Sequence, residues 1–340
     1  MIIVTGGAGF IGSVLVSALN QRGIDDILIV DHLGSGDKWK NLRALKFRDY
    51  CEKADFLPYL ESGAFDAMKV TQVYHLGACS STTETDCSYL VKNNFEFSKA
   101  VASWCRNVGA RLVYASSAAT YGDGETGFDD ITGPEMQKLK PMNMYGYSKQ
   151  IFDLWMFTRG YFDNAVAIKY FNVFGPNEYH KGDMRSFILK SFEQIRDTGK
   201  IKLFKSHRPD YEHGEQRRDF IYVKDAVDMT IHCMETLNCG GLYNVATGQA
   251  RSWNELVKAT FTALKKEPQI EYIDMPESIR HQYQYFTEGN IGRIINSGYK
   301  GKIHSLEEAI EDYVKNYLIP GKRAGEEIEP SIEINHFANV

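Results

Sequence analysis

Three side chains near the middle of the sequence have the types and spacing for acid–base chemistry at an alcohol. Tyr145 and Lys149, in "MYGYSK" (144–149), are four residues apart, which on a helix stacks them on one face, one turn from each other. Tyr147 has no such partner. A free phenol, with a pKa of about 10, is too weak an acid to work as a base near neutrality. An ammonium one turn along, together with a second positive charge, stabilises the phenolate and lowers that value. Ser117 lies 28 residues earlier, in "ASSAATYG" (115–122), at the end of an apolar run. A hydroxyl at the carboxyl edge of such a strand sits where open α/β sheets bind their ligands. The chemistry this trio suits is reversible oxidation of a secondary alcohol. Tyr145 takes the hydroxyl proton, Lys149 tunes it, and Ser117 holds the same oxygen.

Such a trio has to be positioned, and the rest of the chain shows how. Short β-branched runs at 2–5, 26–30, 72–76, 111–117 and 165–171 alternate with amphipathic stretches near 10–22, 88–108 and 145–160. Nearly continuous apolar runs of this length fit strands buried on both faces of a parallel sheet. The alternation predicts an α/β fold, a Rossmann-type doubly wound parallel sheet with a smaller mixed α/β substrate lobe. We expect residues 1–175 to be mainly the dinucleotide-binding domain and 176–318 mainly the substrate lobe, with some segments returning to the main sheet. Strand runs recur at 219–223 and 241–246, and helical ones near 184–198, 225–237, 252–266 and 305–318. The polar stretch 319–340 reads equally as a loose tail or a subunit clasp.

The first strand leads into "VTGGAGFIGS" (4–13), which sets Gly6, Gly9 and Gly12 at the opening of a helix. Glycines there allow a tight turn and close approach of backbone to a pyrophosphate, and the helix N-terminus favours the phosphate charge. Asp31 ends the second strand, 19 residues after Gly12, in the usual place for a ribose 2′-hydroxyl partner. That favours NAD. Lys38 and Lys53 follow and could meet a 2′-phosphate, so the residues leave NAD against NADP open.

Bulk composition narrows the classes. The chain has 340 residues, 43% hydrophobic and 24% charged, with a net charge of −5. This gives no electrostatic footprint for nucleic acid or an anionic membrane. No apolar run approaches the length of a membrane span. Six scattered cysteines without a Cys-x-x-Cys pair read as reduced thiols, and the sequence opens on a strand rather than a leader. The expected location is the cytoplasm. His207, His213, Glu212 and Glu215 share a polar stretch but lack ligand spacing, so no metal is expected. His180 and His281 flank segments of the expected pocket, and nothing ranks them.

These motifs resemble the extended short-chain dehydrogenase/reductases that act as nucleotide-sugar epimerases and dehydratases. The resemblance runs from Met1 to about Tyr317. "VTGGAGFIGS", "YGYSK" and "YFNVFGP" (170–176) are family-wide; "GACSSTTE" (77–84), "YASSAATYG" (114–122), "EYHKGDM" (178–184), "RRDF" (217–220) and "QYQYFT" (282–287) are narrower. The narrower set is most similar to members that invert C6″ of an ADP-linked heptose for the lipopolysaccharide core. The resemblance implies NADP, with NAD possible, surrounded by Phe10, Ile11, Asp31, His32, Lys38, Lys53, Leu76, Gly77, Ala78, Cys79, Ser80, Asn93 and Val173 beside the glycines and Lys149. It also implies that Lys181 is a second acid/base on the far side of the sugar, also near the cofactor; a phosphate clamp is the other role open to it. Ser117, Asn172, Asp183, Lys190, Phe204, Arg218 and Tyr283 match substrate-contacting positions.

The related 4,6-dehydratases have an Asp-Glu pair where this chain has Ala118 and Ala119, so water elimination is not expected. Asp183 replaces a usual serine, and 205–216 is longer than the matching loop; both bear on the pocket's shape. A homo-oligomer, commonly a pentamer, is implied by the resemblance alone. The competing readings are a UDP-hexose 4-epimerase and a nucleotide-binding protein without turnover.

Overall fold

In chain order the strands are β1 Ile2–Thr5, β2 Ile27–Asp31, β3 Asp49–Glu52, β4 Gln72–His75, β5 Arg111–Ser117, β6 Ala165–Tyr170, β7 Asn172–Phe174, β8 Ile201–Phe204, β9 Arg217–Tyr222, β10 Gly241–Val245, β11 Ala250–Ser252 and β12 Ile270–Ile273. Seven of them form one sheet in the order β10-β6-β5-β4-β1-β2-β3, with every neighbouring pair parallel. The structure is a computed structural model and describes residues 1–65, 68–280 and 283–327.

Side-chain alternation explains why these runs are apolar throughout. Both faces of β1, β2, β6 and β10 are buried, because helices cover the sheet on two sides. Helices Phe10–Gln21, Val223–Glu235 and Leu306–Tyr313 pack on one face, around Leu15, Val16, Met229 and Ile310. Helices Lys53–Glu61, Phe97–Val108 and Met144–Thr158 pack on the other, around Phe56, Val101, Phe152 and Met156. The expected helix 88–108 is divided: a first turn at Cys87–Leu90 and wide i→i+5 turns over Val91–Glu96 precede the regular helix. This places Asn94, wholly buried, at the irregular stretch.

The order in which strands are added to the sheet reverses between β1 and β4, and the crevice at that switch point opens at the carboxyl ends of both. Over it lie β7, β9 and β11 in a three-stranded sheet and β8 paired with β12. A separate apolar cluster of Ile195, Leu203, Val257 and Phe261 holds this smaller layer together. β10, which comes late in the chain, completes the edge of the main sheet. Residues 319–327 turn back toward the segment after β2, where Glu326 pairs with Arg43 and Ala324 is buried. The remainder of the expected tail, and His281 and Gln282, lie outside the described residues.

Candidate active site

Gly6 follows β1 with φ of +70°, and a Cβ there would lie 2.6 Å from the Gly77 nitrogen. Glycine is therefore required for the turn and for the approach of the β4 exit loop. At Gly12 a Cβ would sit 2.1 Å from the Gly6 carbonyl oxygen, so the helix can start flush against the turn. These two positions leave a backbone cradle at the N-terminus of the helix Phe10–Gln21, which fits a pyrophosphate by shape and by dipole.

At the end of β2, Asp31 accepts from the Ala8 amide at 2.8 Å and from the His32 amide at 2.7 Å. Lys38 forms an ion pair with the same carboxylate and donates to the His32 carbonyl. Both Asp31 oxygens are thus engaged. Lys53 donates to Asn93 and sits 5.3 Å from the Phe97 ring centroid; burial, with Lys38 nearby, pulls its ammonium below its ordinary value.

The catalytic-type side chains converge across the switch point. Ser117 is the last residue of β5, and its Oγ accepts from the Ala119 amide at 3.1 Å. The helix Met144–Thr158 starts at Asn143, whose side chain accepts from the Gly146 amide at 2.8 Å. A Cβ at Gly146 would lie 2.7 Å from the Ala119 carbonyl oxygen, so glycine lets this helix close on the Ser117 turn. Lys149 is buried and donates to the Ala115 carbonyl at 2.8 Å. Asn94 ties the helix to the β4 exit loop: its amide donates to Ser148 Oγ at 3.0 Å and to the Cys79 carbonyl at 2.9 Å. Tyr147 is exposed on the opposite side.

The electrostatics differ from the expectation in one respect. Burial holds the Tyr145 phenol above its ordinary value, and the group that opposes burial is the Ser117 hydroxyl, not Lys149. Lys149 itself is pulled down to about 8 by burial, against the attraction of Asp153. Its charge is spent partly on the Ala115 carbonyl and on Asp153, a buried carboxyl that accepts from Tyr114 at 2.8 Å and Ser116 at 2.6 Å.

A cleft of about 570 Å³ collects these groups. Its wall includes Gly6, Gly9, Phe10, Ile11, Gly12, Asp31, Lys38, Leu76 to Ser80, Ser117, Tyr145, Lys149, Asn172, Val173 and Lys181. Lys181 faces Phe10, 5.4 Å from the ring centroid, and burial lowers its ammonium against the pull of Glu178. His32, Lys53 and Asn93 stand outside this wall. A second, more apolar cavity of about 620 Å³ adjoins it, sharing Asn172, Val173 and Met184 and adding Lys190, Phe204 and Tyr283.

Arg218 and Asp183 line neither cavity. Arg218 is buried against Tyr283, 5.4 Å from that ring's centroid, and donates to the Arg217 and Gln284 carbonyls. Asp183 is exposed, and its carbonyl accepts from Lys190 at 2.6 Å. The sequence reading did not single out Tyr170, Phe171 and Met184, which also line the wall with Ser81, Ala115 and Ser116; the first two sit inside the quoted "YFNVFGP", next to Asn172. His180, left unranked, also lines it. Among the described residues no three His, Cys, Asp or Glu side chains converge as a metal requires, and His213 accepts from the Ser206 amide.

The model of the NAD dependent epimerase/dehydratase family matches residues 2–246. A Nitratidesulfovibrio vulgaris protein named ADP-L-glycero-D-manno-heptose-6-epimerase is 50% identical over 320 residues, 94% of this chain and 98% of its own. One of the same name from Fusobacterium nucleatum is 46% identical over 326 residues, again 94% and 98%. Among solved structures, the Helicobacter pylori enzyme of that name has a TM-score of 0.76 at 27% identity, covering 92% of this chain and 94% of that one. A UDP-N-acetylglucosamine 4-epimerase from Methanobrevibacter ruminantium also scores 0.76, at 25% identity and 94% and 98% coverage. The matched span contains the glycine cradle, Ser117, the Tyr145 helix and Lys181, and near-full-length relatives extend it to the smaller layer: the chain belongs to the NAD-dependent epimerase/dehydratase family.

Proposed function

We propose that this protein interconverts ADP-D-glycero-D-manno-heptose and ADP-L-glycero-D-manno-heptose by inverting C6″, with NADP held throughout, and so supplies heptose for the lipopolysaccharide core. The observation that supports this most is the pairing of Tyr145 and Lys181 in one cleft, in a chain half identical to a relative of that name. Gly6 to Gly12 would hold the pyrophosphate, Leu76 to Ser80 the nicotinamide half, and Lys149 the adjoining ribose. For NADP rather than NAD, Lys38 would turn from its ion pair with Asp31 to meet the 2′-phosphate. When bound and oxidised, the nicotinamide supplies a reversible hydride acceptor and a fixed positive charge.

Ser117, which accepts from the Ala119 amide and whose hydroxyl supports the Tyr145 phenol, would turn its proton to the substrate oxygen. Tyr145, as phenolate, removes the hydroxyl proton at C6″; burial raises its pKa, and the positive charge that an oxidised nicotinamide would bring opposes that rise. Once C6″ is a carbonyl, rotation about C5″–C6″ turns its other face inward. Lys181 then donates the proton from the opposite wall, and its lowered pKa brings that transfer toward neutrality. The apolar cavity with Lys190, Phe204 and Tyr283 suits the ADP portion.

Turnover of ADP-D-glycero-D-manno-heptose in deuterated water tests this reading. Inversion without deuterium at C6″ is expected. Deuterium at that carbon would mean proton abstraction from carbon and would overturn the scheme, and turnover of UDP-galactose instead would overturn the substrate.

A further inference from the structure

The loop that delivers Lys181 is held from behind by residues outside the cleft. Asn177 is wholly buried and adopts φ of +76°. Its amide nitrogen donates to Ser13 Oγ at 2.8 Å, and its amide oxygen accepts from the Ala324 backbone at 2.9 Å. The Asn177 carbonyl accepts from Asn41 Nδ2, which also donates to the Ala8 carbonyl, each at 3.1 Å. Asn41 Oδ1 in turn accepts from Arg323. Two residues on, the Tyr179 hydroxyl donates to the Lys322 carbonyl at 2.8 Å, and the Arg323 guanidinium lies 5.1 Å from the Tyr179 ring centroid. His180 Nδ1 faces Asn41 at 3.3 Å; burial, with Lys38 and Lys181 nearby, lowers that imidazole to about 4 and keeps the ring neutral.

We infer that residues 322–324, acting through Asn177 and Asn41, form a clasp that sets the 177–181 loop against the glycine turn and thereby aims Lys181 into the cleft. Asn177 is a positioning residue in this scheme, since it touches neither cavity. The chain after Leu318 is needed for the reaction although it stands behind the site. The left-handed backbone at 177 makes the point testable: glycine adopts that conformation freely, so Asn177→Gly removes the side-chain contacts without straining the turn.

The inference deepens the reading of Lys181 as second acid/base, and its test separates the two. Lysines of the dinucleotide-loaded protein are acetylated with an N-hydroxysuccinimide ester, and the rates at Lys181 and Lys149 are read by peptide mass spectrometry. Asn177→Gly, Arg323→Ala and a chain ended after Leu318 should raise the Lys181 rate relative to Lys149 by at least roughly tenfold, the effect of losing about 1.4 kcal/mol of buried hydrogen bonding on an opening equilibrium. Epimerisation kcat should fall in step. General loosening would move both lysines together and would overturn the clasp, as would an unchanged ratio in Asn177→Gly. Should the shortened chain fail to fold, the two point variants decide. Full activity in Lys181→Met would remove the acid/base role and leave the labelling ratio to judge the clasp alone.

Discussion

Replacing Lys149 by methionine should make the protein more stable near neutrality while disabling it. Lys149 is 4% exposed and, among the described residues, has a single direct hydrogen-bond partner, the Ala115 carbonyl. Its pKa falls from 10.5 to about 8 on folding. At 1.36 kcal/mol per pH unit, keeping that ammonium buried costs about 3 kcal/mol. Methionine fills the same length of channel without a charge. Against the gain stand one lost hydrogen bond, about 1 kcal/mol, and the weakened support of Asp153, whose carboxyl Lys149 helps keep ionised.

The net expectation is roughly 2 kcal/mol of added stability near pH 7. The sign with pH follows from where each state releases its proton. The unfolded lysine keeps it up to 10.5 and the folded one loses it near 8, so between those values the unfolded state binds more protons and wild-type stability climbs. The advantage of the variant should therefore shrink over that window. Urea denaturation of both proteins at about pH 7 and about pH 10, at matched dinucleotide loading, measures it, since bound ligand would otherwise add its own stabilisation. Turnover should drop by about 100-fold or more. A variant less stable than wild type near neutrality, or a difference that ignores pH, would refute the reasoning.

Tyr145→Phe should lower turnover by about 10²- to 10⁴-fold, while the dinucleotide released on denaturation stays at the wild-type amount. In Gly12→Ala the new methyl would press on the Gly6 carbonyl; stability should fall by about 1–3 kcal/mol, and bound dinucleotide, measured after purification, should fall with it. Lys38→Ala should reduce the preference for NADP over NAD by about tenfold, read by competition between the two nucleotides. An increased preference would contradict the assignment of that lysine.

Sheet strands with strong apolar runs, such as 2–5, 111–117 and 165–170, were legible because burial on both faces leaves a continuous signature. β3 was not: "DYCE" is an edge strand, and only Cys51 within it is buried. The short strands of the smaller layer, three or four residues each in β7, β8, β11 and β12, depend on partners far along the chain. At the site, the Tyr145–Lys149 pair was legible from its one-turn spacing and Ser117 from its place at the end of an apolar run, and the three line one cleft. Asp153 was not legible, although it lies one turn beyond Lys149, since its neighbours Tyr114 and Ser116 reach it only through the sheet. The influence of Lys149 on Tyr145 was expected from spacing, but burial governs the phenol, and burial is a property of the assembled fold. Asn177 gave no signal either, because every partner of its side chain comes from another segment.

The edge strand β10 has a consequence for how the protein is made. Its five residues pair with β6 and are all buried, and Asn244 within it accepts from the Tyr121 hydroxyl at 2.7 Å and donates to the Phe128 carbonyl. A ribosome that has released only the first half of the polypeptide therefore exposes an open ladder on β6, ready to pair with any extended segment nearby. Synthesis past Val245 closes that ladder, so the interval before it is the window in which a nascent chain most needs a chaperone.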